Sequence, residues 1–279
     1  MIRDEKRDLS FQPAINPCPR RLTAEQIARY NQRGYLHPFS IYSPLEAQAN
    51  RAYFDFLLAK MKAMEDGRDS YAINGYHSRC RGIYDMATHP AILDIVEDLI
   101  GPDIICWGTH FFCKLPHDPK SVPWHQDASY WPFTPSRTIT VWLAIDDADV
   151  GNACMHVIPA THDRGLLQWK RTDEPAVLDQ RIEDIDQYGR PVPIELKAGS
   201  ISVHADMLAH GSAPNGSDRR RCGLTMRYCP PTVGSTNPGW LENAIICRGR
   251  DESGRWGNQP RPAGDDLGRG DKPKSIGAN

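Results

Sequence analysis

Apolar positions follow two patterns that divide the chain near residue 101. Up to that point they keep helical spacing between recognisable caps. Thr23-Ala24-Glu25-Gln26 has the form of a capping box, in which the Thr hydroxyl and the Gln side chain each satisfy a backbone amide; the helix it opens is expected to end near Gly34. Tyr35-Leu36-His37-Pro38-Phe39 reads as a first strand. Ser43-Pro44-Leu45-Glu46 combines an N-cap, a proline at the first helical turn and a helpful acid, which predicts a second helix to about Met64. Leu45, Ala49, Ala52, Tyr53, Phe56, Leu57 and Lys60 recur at helical spacing and are expected to form its core-facing stripe. His89-Pro90 starts a third helix over 91–100, which Gly101-Pro102 stops.

Beyond that stop the apolar residues come in short β-branched or aromatic runs separated by Gly, Pro, Asp and Asn. They predict strands over 104–114, 138–145, 154–158, 192–196, 201–205 and 224–228. Many short strands with turn punctuation suggest a sandwich or a jelly roll, giving a mainly β protein with flanking N-terminal helices. Residues 163–191 are polar, interrupt the rhythm and are expected to be an insertion over the mouth of the barrel. Residues 1–22, with Pro13, Pro17 and Pro19 and no periodic face, read as an extended arm. The stretch after Pro230-Pro231 is rich in Gly, Pro and Arg, and 261–279 reads as a mobile tail. No internal repeat and no domain boundary is visible, so 23–260 is expected to form a single domain.

Composition narrows the function class. The chain has 279 residues, 40% hydrophobic and 24% charged, with a formal net charge of -2. A near-neutral surface is not built to attract nucleic acid or a membrane, and no apolar run approaches the roughly 20 residues of a membrane span. The partner expected is a small molecule; oligomeric state is not legible. Eight cysteines are scattered without a C-x-x-C pair, and the first residues are charged rather than apolar, which together suggest a cytoplasmic protein with reduced thiols.

The chemistry concentrates in Val122-Pro123-Trp124-His125-Gln126-Asp127. On a strand, side chains two positions apart share a face with Cα atoms roughly 6.6 Å apart, so His125 and Asp127 can approach one ion from the same side. A third ligand is expected from a distant segment, with His210 the best candidate. Two imidazoles and a carboxylate, with the opposite positions open, form the ligand set that suits ferrous iron in oxygen-activating enzymes. His204-Ala205-Asp206 repeats the spacing, but six strand residues would put His210 roughly 20 Å from His204, so His204 and Asp206 are expected to be supporting or structural.

Trp124-His125-Gln126-Asp127, Thr140-Val141-Trp142-Leu143-Ala144-Ile145-Asp146-Asp147, Val157-Ile158-Pro159-Ala160-Thr161-His162 and His210-Gly211-Ser212 with Arg219-Arg220-Arg221 occur in that order. The combination, from about Leu22 to about Pro231, resembles the phytanoyl-CoA dioxygenase family of iron(II)/2-oxoglutarate oxygenases. The resemblance implies a double-stranded β-helix core, with His125, Asp127 and His210 as iron ligands. It also implies that 2-oxoglutarate and O2 become succinate and CO2 as an unactivated C–H bond of a small molecule is hydroxylated. The family's cosubstrate arginine falls on Arg221, with Arg219 and Arg220 as candidates if the loop shifts. A planar guanidinium suits a buried carboxylate because it offers two parallel charge-assisted hydrogen bonds. Arg227 shares a strand face with Arg221 by even spacing. Ser212 and Trp142 match family positions around the cosubstrate, as does His110, which is equally well explained as a core histidine. Pro159-Ala160-Thr161-His162 departs from the family's Pro-Gly-Ser/Thr-His at one turn position. Halogenating relatives carry a small residue where Asp127 stands, so the resemblance implies oxygen insertion.

For the substrate, His77, Arg79 and Arg81 concentrate cationic groups that would favour an anionic molecule if they face the pocket. Gln126, Tyr130 and Trp131 follow the ligand strand and are further candidates. Two alternatives use the same residues differently: a noncatalytic metal-binding jelly-roll sensor, and a cupin-like metalloenzyme that does not use 2-oxoglutarate. Neither has a need for Arg221.

Overall fold

The computed structural model describes residues 7–269. Helix α1 (Ala24–Arg33) begins with the expected capping box, the Gln26 amide donating to Thr23 Oγ1 and the Thr23 amide to Gln26 Oε1, and ends at Gly34 in the left-handed region (φ 83°). Strand β1 (Tyr35–Ser40) leads to α2 (Pro44–Lys62), capped by Ser43 and Glu46. The buried face of α2 is Ala47, Phe54, Leu57, Leu58 and Met61, which shares only Leu57 with the expected stripe: Leu45 and Phe56 are exposed. Phe54, Phe56, Leu57 and Leu58 ring much of the helix circumference, so spacing alone left the phase open. A short helix absent from the sequence expectation, α3 (Arg81–Ala87), precedes α4 (Pro90–Ile100); it carries no side-chain cap and contains Gly82.

The larger sheet has six antiparallel strands in the order β1, β10 (Ser200–Ala205), β5 (Ile139–Ala144), β12 (Arg221–Cys229), β2 (Ile104–Lys114) and β14 (Ile245–Arg248). Facing it is a four-stranded sheet, β3 (Val122–His125), β11 (His210–Ser212), β6 (Met155–Val157) and β9 (Val192–Ile194). The result is a jelly roll with helices packed on one side. Two small ribbons complete it, β4 (Phe133–Thr134) with β13 (Gly234–Ser235), and β7 (Trp169–Arg171) with β8 (Gln180–Ile182). The 163–191 segment therefore contains a hairpin; its Val177 and Leu178 pack beside Phe112 and Val122.

Both faces of the central strands are buried, but they differ in kind. Phe111, Val141, Leu143, Val203, Leu224 and Met226 point outward into the main core with Phe54, Leu57, Ile92 and Val96 of the helices. The alternate positions point into the roll and are mostly polar: Thr140 and Trp142 on β5, Ser202 and His204 on β10, and Arg221, Thr225 and Arg227 on β12. Period-two alternation thus places a row of polar groups inside the barrel. That row is where chemistry is to be sought.

The N-terminal arm is extended and anchored by the buried Asp98, whose carboxylate accepts the amides of Arg20, Arg21 and Leu22. The expected tail departs from the structure in its first part. Leu267 is fully buried in the main core, Asp265 accepts from Tyr53 Oη at 2.6 Å, and Arg261 and Asp266 form ion pairs with Asp85 and Arg79. A single apolar residue among polar ones, too sparse for a periodic signal, pins this segment. Residues 270–279 lie outside the described part.

Candidate metal centre

Pairing of β11 with β3 puts His210 directly opposite His125, with ring centroids 4.1 Å apart. β3 ends at His125, and Asp127 opens a 3-10 turn, but Gln126 between them is still extended (φ -110°, ψ 128°). The side chains of 125 and 127 therefore stay on one side of the chain, as strand geometry predicts. Asp127 Oδ1 lies 3.6 Å from His125 Nε2 and 4.0 Å from His210 Nε2, and one donor atom from each of the three residues falls within 4.8 Å of the others.

Hydrogen bonding decides what these nitrogens offer. His125 Nδ1 is 2.8 Å from the Pro123 carbonyl and His210 Nδ1 is 2.9 Å from the Leu208 carbonyl. A carbonyl only accepts, so each ring carries its proton on Nδ1 and presents an Nε2 lone pair to the interior. Two lone pairs and a carboxylate oxygen, spaced too far apart to bond one another, suit a divalent cation between them, with the cavity side left open. Thr140 Oγ1 donates to Asp127 Oδ2 at 2.8 Å, fixing the second oxygen and leaving the first for the ion. Burial opposes the Asp127 charge, but His125 and His204 beside it, with His210 and the Arg227 guanidinium, outweigh it and hold the carboxyl well below the usual range. Burial, with the neighbouring His125 and His204, keeps His210 neutral by pushing its pKa well down.

Arg221 forms the far wall. It is 2% exposed, and its guanidinium donates to the Ala153 carbonyl, the Phe112 carbonyl and Ser212 Oγ. Its Cζ sits 5.7 Å from the Trp142 ring centroid. Among the described residues no carboxylate pairs with it, and burial pulls its pKa below the ordinary value. Lys114, opposite it in register, is equally buried; its ammonium is held by three carbonyls, and burial and Arg221 push its pKa down to about 7. This end of the cavity is charged for an anion.

His125, Asp127, His210, Ser212, Trp142 and Arg221 all line one cavity of about 410 Å³. The other expected site residues are elsewhere. His110 Nε2 donates to the Tyr71 carbonyl at 2.7 Å and the ring packs on Phe112, which lines the cavity in its place. His77 is buried beside Thr109, Arg79 pairs with Asp266, and Arg81 faces solvent on α3, so the 77–81 cluster does not reach the cavity. Gln126 points the other way, its amide bonding the Gly165 and Met207 carbonyls and the Leu167 amide. Tyr130 and Trp131 stand behind the cavity wall without lining it: Tyr130 Oη accepts from the Gln180 amide while its ring meets His125 edge-on at 5.9 Å, and Trp131 packs on Trp107 and Arg227.

Separation along the chain proved misleading for His204. The chain turns after Ala205 and changes sheet, so His204 on β10 and His210 on β11 stack with centroids 4.6 Å apart rather than roughly 20 Å. His204 Nε2 lies 3.7 Å from Asp127 Oδ2, and among the described residues neither of its nitrogens has a hydrogen-bond partner. Asp206 instead accepts from Ser136 Oγ and the Thr138 amide, away from the triad. Arg219 and Arg220 are paired with Asp149 and Asp146, leaving Arg221 as the arginine of that run that enters the cavity.

A family model described as Phytanoyl-CoA dioxygenase (PhyH) matches residues 30–223. The peroxisomal phytanoyl-CoA dioxygenase of Bos taurus is 30% identical over 155 residues, covering 52% of this chain but only 45% of the bovine protein. A probable phytanoyl-CoA dioxygenase of Caenorhabditis elegans is 26% identical over 234 residues, covering 74% of this chain and 75% of its own length. Among solved structures, the apo form of the non-heme monooxygenase ThoJ superposes with a TM-score of 0.75 at 29% identity, over 85% of this chain and 88% of that one.

Proposed function

The chain belongs to the phytanoyl-CoA dioxygenase family, and from that premise we propose that it is an iron(II)- and 2-oxoglutarate-dependent hydroxylase of a small molecule, with His125, Asp127 and His210 as the metal ligands. The family's cofactor set is iron(II), 2-oxoglutarate and O2. When bound, that set supplies an oxidant able to attack an unactivated C–H bond while 2-oxoglutarate is converted to succinate and CO2.

The chain's own residues prepare the site for it. The Pro123 and Leu208 carbonyls fix both rings with Nε2 inward, and Thr140 fixes the carboxylate. Arg221 and Ser212 receive the far carboxylate of the cosubstrate, and Trp142 forms a wall beside it. The carboxylate at 127 occupies the place that chlorinating chemistry would need free. Reduced thiols fit a reducing compartment such as the cytoplasm, and all eight cysteines are free. No helix among the described residues is long and apolar enough to cross a membrane.

The observation that carries the proposal is Arg221: a buried guanidinium with no carboxylate partner among the described residues, on the same cavity as three convergent candidate metal donors. A metal-only cupin enzyme or a noncatalytic sensor has no use for it. Anaerobic titration with iron(II) and 2-oxoglutarate is expected to produce a visible charge-transfer band that needs both. Asp127→Ala should abolish the band. Arg221→Gln removes charged hydrogen bonds worth about 1.5–3 kcal/mol, so about 10- to 100-fold more 2-oxoglutarate should be needed. A band independent of 2-oxoglutarate, or one unaffected by either change, overturns the proposal.

A further inference from the structure

Arg227 is the other arginine on the cavity face of β12. It is 9% exposed. Its guanidinium carbon lies 5.2 Å from the Trp131 ring centroid and 5.7 Å from that of Trp107, and since those two rings are themselves 4.6 Å apart, both lie to one side of it. Nε is buried with no acceptor, and among the described residues neither terminal nitrogen has a hydrogen bond or an ion pair. Arg221 makes three hydrogen bonds to protein and Arg220 is paired with Asp146 and Asp55, so this state is not general to buried arginines here.

A guanidinium has five N–H donors and stays charged. Stacking on indole rings and the nearby Asp127 carboxylate both favour its charge, but neither gives those donors an acceptor, and buried donors without acceptors are costly. An anion in the cavity would resolve the imbalance. The cosubstrate cannot serve both arginines: six strand residues separate the two backbones by roughly 20 Å, and 2-oxoglutarate is a five-carbon chain anchored at the Arg221 end.

Register locates the second anion. Arg227 pairs across from Thr140, whose hydroxyl holds Asp127 Oδ2. An acid bound to Arg227 therefore lies on the Asp127 side of the triad, away from Ser212 and Arg221.

We propose that Arg227, supported on one side by Trp107 and Trp131, is the substrate-anchoring residue and that the substrate is a compact organic acid whose carboxylate it holds in a two-pronged contact. The inference rests on the hydroxylase assignment above and replaces the 77–81 cluster as the source of anion preference. It also predicts oxidation a short way along the chain from the acid group.

Matched probes test it: butyrate, hexanoate, benzoate and 3-phenylpropanoate, each against its amide. They are added to the anaerobic iron(II)–2-oxoglutarate protein while the charge-transfer band is followed, and to metal-free protein in a thermal-shift assay. Acids are expected to act at concentrations at least tenfold below their amides in both formats. Arg227→Gln should erase the preference while the 2-oxoglutarate requirement stays within about twofold; Arg227→Lys, which keeps the charge, should retain part of it. Absence of the band in the unaltered protein would count against the hydroxylase assignment, and the thermal-shift arm would still read Arg227. No response to any acid, equal response to acid and amide, or a preference that survives Arg227→Gln overturns the proposal. So does loss of the band in Arg227→Lys, because Arg227 would then act through the metal ligands.

Discussion

At the scale of the residue, Thr140 illustrates how little of a site is visible in its ligands. Its hydroxyl bonds the Asp127 oxygen that faces away from the other two proposed ligands, and groups of this kind typically change metal affinity 10- to 100-fold. Thr140→Val, nearly the same in volume, is expected to weaken iron(II) binding about tenfold in an anaerobic titration and leave the fold intact; unchanged affinity would show that Asp127 needs no such support. The proposed ligands were legible from family order, which set His125 and Asp127 with a distal His and Arg; the spacing alone did not decide, because His204-Ala205-Asp206 repeats it. His204 was not legible as a neighbour of Asp127, because the turn after Ala205 that folds it back has no strong sequence marker. Arg227 was marked only by even spacing from Arg221, which says which face it occupies but not that its donors are free.

The strand is the scale at which the cavity is shaped. β12 alternates Arg221, Gly223, Thr225 and Arg227 inward, and the glycine is there for space: a Cβ at 223 would fall 2.0 Å from the Trp142 ring. Gly223→Ala is expected to push Trp142 toward the cosubstrate position. Overpacking of this sort costs about 1–3 kcal/mol, measurable as a lower denaturant midpoint, and the 2-oxoglutarate requirement should rise in parallel. A stable variant with an unaltered requirement would mean that Trp142 can move without touching that end. Strand positions were read well from sequence because β-branched runs between turn residues leave few options, and β2 occupies the expected 104–114. Helix α2 was placed correctly yet turned wrongly, since apolar residues on most of its surface gave no single face.

Across the whole molecule, the buried groups that titrate near neutrality tie stability to pH. Asp206 is fully buried, and burial outweighs its bonds from Ser136 and Thr138, pushing its carboxyl up to about 7. A folded value above the unfolded one, near 4, means the native state keeps a proton that the unfolded chain has lost. The contribution is full below about pH 4 and disappears as pH rises through 7. Relative to Asp206→Asn, which mimics the protonated acid, the unaltered protein should lose melting temperature between pH 4 and 8; parallel curves would contradict this. The order of elements was legible at this scale, whereas the packing of 261–269 was not, because Leu267 alone among polar neighbours carries no pattern. The central claim is most directly tested by an anomalous-difference map at the iron edge, from crystals grown without oxygen in iron(II) and 2-oxoglutarate. One iron touching His125 Nε2, His210 Nε2 and an Asp127 oxygen is predicted, with the far carboxylate of 2-oxoglutarate on Arg221. Iron held by His204 in place of either histidine, or that carboxylate seated on Arg227, would contradict it.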